Sequence, residues 1–225
     1  MARKVWLDAG HGGKDPGAIG NGLKEKDVTL AITKKVGDEL KRHGVKVGYT
    51  RTTDKTVALN RRGPLANNFN ADVFVSIHTN AFGNPSAQGV ETYSYPGSSK
   101  GRNLAKDIHN EIVKAKLYSK NRGLKTANFA VLRQSRMPAA LPEIAFITNK
   151  ADAKLLKNKQ DEFATAIAKG ILKNLGIKYK AKSKPKKDNK GLYKVQVGAF
   201  KDKKNAEKLA KELKKKGYSN FIKKE

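Results

Sequence analysis

The sequence contains no cysteine among its 225 residues. This absence excludes a disulfide framework, a thiolate metal site and a cysteine nucleophile. Any metal ion must therefore be held by imidazole nitrogens and carboxylate oxygens, and the chain has only four histidines to offer.

Long apolar runs are also missing. No segment approaches the roughly 18 apolar residues that a membrane span needs. The N-terminal segment MARKVWLDAG lacks the apolar stretch of a secretory signal, because Asp8 interrupts it after three apolar residues. We therefore expect synthesis in the cytoplasm without a signal peptide. A substrate outside the cell would require release by another factor.

Acidic residues are scarce: 20 Asp and Glu stand against 48 Lys and Arg, which gives a net charge of +28. Residues 178–225 carry 18 lysines and 5 acids, or +13 (18 − 5), in about a fifth of the chain. Such a charge favours a polyanionic partner, for example nucleic acid, anionic lipid or the anionic polymers of a bacterial wall. The alternative is that the charge only solvates the surface.

The hydrophobic pattern predicts an α/β fold. Apolar strands are predicted at 4–9, 45–51, 73–78, 89–97, 130–133 and 143–148. Amphipathic helices are predicted from Asp27, from about Ser99 and over 160–175, together with a helix over 56–70 that Gly63-Pro64 breaks. Strands that alternate with such helices indicate a largely parallel or mixed sheet.

Composition divides the chain into three parts. We predict a domain over residues 1–177, a lysine-rich linker over 178–190 (KYKAKSKPKKDNK) and a small unit over 191–225. The last part reads as a strand at 193–200, a helix over 203–216 and a strand at 219–224. A β-α-β unit of this size lies below the roughly 40 residues that a self-sufficient core needs, so we expect it to pair with something.

Two histidines lie where a predicted apolar strand gives way to a polar turn. They are His11 in DAGHGGKDPGAIGNGLKEKD and His78 in DVFVSIHTN. With Glu25 they could supply two nitrogens and one oxygen to a catalytic zinc site that keeps one position open. A lone histidine is more often structural than a ligand. Asp8 and Asp15 compete with Glu25 as the carboxylate, and the position of Asp15 before Pro16 favours a turn at least as strongly as a ligand role. Spacing alone leaves these alternatives open.

Glu143 begins the apolar segment EIAFIT, and a buried carboxylate without a partner is costly. Beside a metal site it could act as a general base and then as a general acid; its alternative is a salt bridge to one of the many cations. Glu91 in GVETYSYP is a weaker candidate, with a structural role equally supported.

Four ordered motifs resemble the zinc-dependent N-acetylmuramoyl-L-alanine amidases of the type-3 amidase family. They are DAGHGGKDPGAIGNGLKEKD, ANNFNADVFVSIHTNA, GVETYSYP and NRGLKTANFAVLRQSRMPAALPEIAFITN. The resemblance covers about residues 4–175 and implies a mostly parallel or mixed sheet of about six strands. It also implies one zinc ion held by His11, Glu25 and His78, with Glu143 as the catalytic carboxylate. The implied reaction cleaves the amide between N-acetylmuramic acid and L-alanine in peptidoglycan. Together with the expected lack of a signal peptide, the resemblance implies release through a holin-type phage pore or by mother-cell lysis. One departure from the family pattern, Pro142 before the glutamate, predicts that this strand starts at Glu143 or lies at an edge.

The tail from Tyr193 resembles one repeat of the SPOR type, which binds peptidoglycan. Such domains generally contain two β-α-β units, so the single unit predicts a homodimer through the tail, and a basic tail held to the wall by charge alone is the alternative. For the whole chain, the alternatives to an amidase are a non-catalytic peptidoglycan-binding protein and a nucleic-acid binder. The sequence lacks the alternation of aromatic and basic residues that RNA-binding sheets use, so we expect no nucleic-acid partner.

Overall fold

The computed structural model describes residues 2–181 and 195–223. The chain divides into two compact units, Met1–Lys180 and Ala181–Glu225. Most of the predicted linker, from residue 182 to residue 190, lies outside the described residues. Within the described part, no helix combines the length and the apolar composition that crossing a membrane would require.

The first unit is built on a six-stranded sheet with the order β4-β1-β5-β8-β6-β7. Its strands are β1 Lys4–Ala9, β4 Lys46–Tyr49, β5 Val73–Asn80, β6 Val90–Ser94, β7 Asn121–Thr126 and β8 Ala139–Phe146. Strand β4 pairs with β1, β1 pairs with β5, and β5 pairs with β8, all in parallel. Strand β6 pairs antiparallel with β8, and β7 pairs in parallel with β6. The mostly parallel, mixed sheet of about six strands is therefore confirmed. A separate two-stranded hairpin joins β2 Ile19–Gly20 to β3 Leu23–Lys24.

Helices cover both faces of the sheet unequally. Those of the first unit are α1 Glu25–Arg42, α2 Leu59–Asn68, α3 Ser99–Lys114, α4 Ala130–Arg133, α5 Lys150–Asn158 and α6 Gln160–Asn174. Helices α1, α3 and α6 pack over one face with the large hydrophobic core. The other face carries a smaller cluster that includes Trp6, Phe74 and Leu141. Strand residues alternate between the faces, so Val75 and Ile77 belong to the large core while Phe74 belongs to the small cluster.

Several predicted elements of the first unit were wrong. The apolar run at 130–133 is helix α4, since a short apolar run does not distinguish a buried strand from a helical turn. Helix α2 is not broken at Gly63-Pro64 but continues through Pro64. Gly63 allows α2 to pack closely against Gln134, because a Cβ at Gly63 would lie 2.7 Å from Cβ of Gln134. Strand β8 neither starts at Glu143 nor lies at an edge: it contains Pro142 and is central in the sheet. Proline has no N–H to donate, and the β5–β8 pairing has no bridge at this residue. Strand β7, hairpin β2–β3 and helix α5 were not predicted.

In the second unit the structure contains helix α7, Lys203–Lys215, with Asp202 as its N-cap. The strands predicted at 193–200 and 219–224 do not form within their described parts, 195–200 and 219–223. Val195 and Phe221 are 84% and 70% exposed. Two strands and one helix of this length bury little apolar surface, which explains why the strand propensity is not realised here.

Trp6 provides a test of the smaller cluster, because it is the only tryptophan in the sequence. Its indole Nε1 donates a buried hydrogen bond of 3.0 Å to Oγ1 of Thr50. We expect Thr50→Val to lower the free energy of unfolding by about 1–3 kcal/mol, because the indole N–H would remain buried without an acceptor. The measurement is urea denaturation followed by tryptophan fluorescence. Thr52→Val, at an exposed threonine, is the control and should change stability by less than about 0.5 kcal/mol; equal effects of the two variants would contradict the prediction.

Candidate metal centre

Three side chains from distant parts of the sequence meet at one point: His11, Glu25 and His78. His11 lies in the turn after β1, Glu25 is the first residue of α1, and His78 lies in β5. One nitrogen of each histidine and one carboxylate oxygen of Glu25 lie within 4.8 Å of one another. The parallel pairing of β1 with β5 brings the two histidine segments side by side, and the β2–β3 hairpin returns the chain to Glu25. All three residues that the sequence suggested as ligands are thus adjacent.

Glu25 is the centre of this cluster. Its Oε2 lies 3.1 Å from Nε2 of His11, and its Oε1 lies 3.0 Å from Nδ1 of His78. Two neighbouring ligands of a tetrahedral zinc ion at 2.0–2.1 Å would lie about 3.3 Å apart, so the spacing suits such an ion. The backbone N–H groups of Ala18 and Thr79 each donate a 3.0 Å hydrogen bond to the same carboxylate. These four contacts fix the buried Glu25 in a single orientation.

Asp15 determines which nitrogen of His11 faces the cluster. Its Oδ2 lies 2.8 Å from Nδ1 of His11. Because an ionised carboxylate only accepts hydrogen bonds, Nδ1 carries a proton that it donates to Asp15, and Nε2 is the nitrogen that faces Glu25. In the metal-free protein Nε2 also donates, to Glu25, and loss of that proton would free its lone pair for a metal ion. Sequence reasoning treated Asp15 as a competing ligand or a turn former. Asp15 also stabilises the turn, since its Oδ1 accepts a hydrogen bond from the backbone N–H of Gly17.

Two glycines permit this close approach. A Cβ at Gly10 would lie 2.4 Å from Cε1 of His78, and a Cβ at Gly17 would lie 2.6 Å from Cδ2 of His11. Gly17 also has a φ of +64°, which favours glycine. Any larger side chain at either position would displace a histidine ring, so these two glycines of the motif serve the site directly.

The cluster strongly perturbs the acidity of its members. Burial by itself would lower the pKa of His11, but the hydrogen bonds and charges of Glu25 and Asp15 outweigh it and raise the pKa to about 9. Burial would raise the pKa of Glu25, yet the hydrogen bonds from His11 and His78 hold it well below its usual range. Without a bound cation, the site therefore retains protons on imidazole at neutral pH. A metal ion would have to displace them.

Glu143 lies beside this cluster in a row of side chains that crosses the sheet. His78 is the register partner of Glu143, and Glu143 is the register partner of Glu91. Oε2 of Glu143 is buried and has no hydrogen-bond partner within the described residues. Burial raises the pKa of Glu143 to about 7; nearby His78 opposes this shift, while Glu25 and Glu91 add to it. An acid that changes charge near neutral pH is suited to proton transfer.

Glu91 has a different environment from Glu143. Its buried carboxylate accepts hydrogen bonds from Arg122 at 2.6 Å, from Lys125 at 2.5 Å and from the Tyr93 hydroxyl at 2.8 Å. Burial would raise the pKa of Glu91, but the hydrogen bonds from the two cations keep it low. Glu91 is therefore a paired structural anion that faces Glu143.

Asp8, the other competing carboxylate, also has partners. It is fully buried, accepts a hydrogen bond from Nη1 of Arg62 at 2.9 Å, and accepts another from the Ser76 hydroxyl at 2.6 Å. These contacts place Asp8 beneath the site and not among the ligand atoms. The two arginines that surround the His11 turn, Arg51 and Arg62, were missed by sequence reasoning, because no local pattern distinguishes a buried arginine from a surface one.

Comparison with known proteins identifies the family. Residues 5–173 match the family model described as N-acetylmuramoyl-L-alanine amidase, and residues 164–224 match the SPOR domain. The chain is 42% identical over 222 residues to the sporulation-specific N-acetylmuramoyl-L-alanine amidase of Bacillus subtilis, covering 97% of this chain and 84% of the relative. It is 46% identical over 199 residues to an endolysin of Bacillus phage SPP1, covering 84% and 73% respectively.

Among solved structures, the N-acetylmuramoyl-L-alanine amidase AmiC2 of Nostoc punctiforme superposes with a TM-score of 0.74 at 44% identity. The match covers 77% of this chain and 97% of that structure. The family model spans all six strands of the sheet except the first residue of β1, and it includes all three residues of the candidate metal centre. This chain therefore belongs to the N-acetylmuramoyl-L-alanine amidase family and carries a C-terminal SPOR region.

Proposed function

We propose that this protein hydrolyses the amide bond between N-acetylmuramic acid and L-alanine in bacterial peptidoglycan, with a zinc ion held by His11, Glu25 and His78. Glu143 would be the general base and then the general acid. Membership of the amidase family supports the reaction. One structural observation carries the mechanism: Oε2 of Glu143 is buried without a hydrogen-bond partner among the described residues, and it lies next to a cluster of two imidazoles and a carboxylate.

The donor set fits zinc better than the harder cations. Two imidazole nitrogens and one carboxylate oxygen form a recurrent ligand set of catalytic zinc, and a fourth position stays open. Magnesium and calcium prefer oxygen ligands. When bound, zinc polarises the amide carbonyl and makes the attacking water more acidic. Asp15, which holds Nδ1 of His11, would keep the ring in the tautomer and orientation that such binding needs.

The protein's own carboxylate supplies the proton transfers. In its ionised form Glu143 accepts a proton from the attacking water, and it then returns that proton to the amine nitrogen of the leaving L-alanine. The atoms balance, because water adds its hydroxyl to the lactyl carbonyl and its proton to the amine. Glu91 cannot replace Glu143, since Arg122 and Lys125 already hydrogen-bond its carboxylate. This mechanism needs no covalent intermediate.

Glu143→Gln tests the proton-transfer role. The amide keeps the shape of the side chain but has no basic oxygen, so we expect release of L-alanine termini from cell walls to fall by about 100-fold or more. Glu162→Gln, at an exposed position of α6, is the matched control and should keep wild-type activity. Zinc content and wall binding should stay unchanged in both variants. Near wild-type turnover by Glu143→Gln would show that another group accepts the proton.

Zinc affinity should depend on pH with a predictable sign. His11 has its pKa raised to about 9, so a proton must leave whenever the ring binds metal. Below that pH, the affinity should rise by about tenfold per pH unit for each proton displaced. The measurement is competition against a chromophoric chelator at pH 6.5, 7.5 and 8.5. An affinity that is constant over this range would contradict the proposed ligand role of His11.

The same shift predicts that stability depends more strongly on pH in the metal-free protein than in the zinc-loaded protein. Protonated His11 stabilises the metal-free fold fully below its ordinary pKa of 6.5, and this contribution is lost as pH rises through about 9. Thermal denaturation should therefore show the metal-free protein losing stability between pH 7 and 9. The zinc-loaded protein should lose less, because its imidazoles are already deprotonated.

We also propose that the protein binds anionic wall polymers in addition to peptidoglycan, and the charge distribution of helix α7 is the evidence for it. Lys204, Lys208, Lys211 and Lys215 are exposed and recur at helical spacing, so they form one basic stripe. The opposite side carries the half-buried apolar residues Ala206, Leu209, Ala210 and Leu213. A continuous row of cations raises the local concentration of a polyanion more than scattered charges do.

Replacing the four stripe lysines with Gln should weaken binding to intact walls by about tenfold or more at low salt. The control replaces Lys106, Lys150, Lys154 and Lys157, exposed lysines of the first unit, and changes the net charge equally. Co-sedimentation with walls, before and after removal of anionic polymers, measures the effect, with Glu143→Gln as the background. Equal weakening by both quadruple variants would mean that net charge alone matters. Homodimerisation through the tail and release through a pore or by cell lysis stay predictions.

A further inference from the structure

Two buried guanidinium groups lie beneath the turn that carries His11. Arg51 is 1% exposed and Arg62 is 5% exposed, although arginine is rarely buried this fully. Neither side chain is among the candidate ligands, and neither has a role in the proton transfers proposed above. Their burial therefore needs another explanation.

The contacts of these arginines converge on consecutive backbone carbonyls. Nε of Arg51 and Nη1 of Arg62 both donate to the carbonyl of Ala9, at 3.1 and 2.9 Å. Nη2 of Arg51 donates to Gly10 at 2.8 Å, and Nη2 of Arg62 donates to His11 at 2.9 Å. Three carbonyls in a row, ending at the candidate ligand itself, thus accept hydrogen bonds from charged donors.

This arrangement compensates for an unfavourable backbone. His11 has a φ of +61°, in the left-handed region that residues with a side chain seldom adopt. Such conformations persist only where the surrounding structure enforces them. The hydrogen bond from Arg62 to the carbonyl of His11 fixes the backbone on one side, while Asp15 fixes its ring on the other.

Arg51 also connects two ligand-bearing segments. The same Nη2 that donates to Gly10 donates to the carbonyl of Lys26 at 2.7 Å. Gly10 precedes His11 and Lys26 follows Glu25, so this one nitrogen ties together the neighbours of two candidate ligands. Gly12 leaves the required space, because a Cβ there would lie 2.8 Å from Nε of Arg51.

We propose that Arg51 and Arg62 are positioning residues for the metal centre. Their forked donors hold the turn 9–11 and the start of α1 so that His11 and Glu25 present their ligand atoms at the correct separation. The inference rests on the proposed zinc function. It also specifies which side chain is needed. A planar guanidinium group donates hydrogen bonds to several carbonyl groups at once, which the single ammonium group of lysine does not reproduce.

The test compares Arg62→Lys and Arg51→Lys with Arg61→Lys, a control at the exposed neighbouring arginine of α2. Zinc affinity is measured by chelator competition, and the coordination geometry by the visible absorption of the cobalt-substituted protein. We expect about 10–100-fold weaker zinc binding and a changed cobalt spectrum in the first two variants. The control should match the wild type in both measurements.

Asp8→Asn separates positioning from folding. It weakens the buried ion pair of Arg62 but leaves that guanidinium on the carbonyls of Ala9 and His11. We therefore expect a lower melting temperature with an unchanged cobalt spectrum. If Arg62→Lys does not fold, Arg51→Lys, which keeps the Arg62–Asp8 pair, carries the same expectation.

Two results would overturn the inference in distinguishable ways. Lysine variants that melt at lower temperature but keep wild-type zinc affinity and cobalt spectrum would show that the arginines only stabilise the fold. A wild-type protein that binds neither zinc nor cobalt would refute the proposed metal centre itself, and the positioning role with it.

Discussion

The interaction on which the site depends is the contact of one buried carboxylate with two imidazoles. Glu25 is only 3% exposed, and a carboxylate in such a place is costly unless cations or hydrogen-bond donors surround it. His11, His78 and two backbone N–H groups meet that requirement. Because its partners come from the turn after β1, the β2–β3 hairpin and β5, the position of Glu25 constrains three segments together.

The pairing of β5 with β8 extends this constraint to the chemistry. His78, Glu143 and Glu91 occupy one row across three adjacent strands, so the separation of the candidate ligand and the proposed base is set by the sheet and not by a loop. Within that row, the two glutamates differ in acidity because their surroundings differ. Glu91 has two cations, whereas Oε2 of Glu143 has no partner in the described chain, and this difference keeps their pKa values apart.

The sequence predicted the sheet class and the candidate ligands because these depend on local pattern and on a motif with ordered residues. The misassigned elements depend on distant contacts. The run at 130–133 is apolar in either a strand or a helix. Pro142 is tolerated because the β5–β8 pairing has no bridge at this residue, and the segments predicted as strands around α7 have too little apolar surface to bury. The contact of Asp15 with His11 and the roles of Arg51 and Arg62 escaped prediction for a related reason: they depend on which carbonyls and rings these side chains contact after folding.

The unequal faces of the sheet explain how the fold tolerates such a site. The turn at His11 is left-handed, two guanidinium groups are buried beneath it, and Oε2 of Glu143 has no hydrogen-bond partner in the part of the chain that the structure describes. The left-handed turn and the buried carboxyl oxygen oppose stability, whereas hydrogen bonds to carbonyl groups compensate for the burial of the two guanidinium groups. Glu143 lies on the face with the smaller hydrophobic cluster, since its strand neighbour Ile144 belongs to the large core. The opposite face, under α1, α3 and α6, has a continuous apolar core. Stability from that core permits strained and charged groups where the reaction requires them, which is the distribution expected when local rules are broken for function.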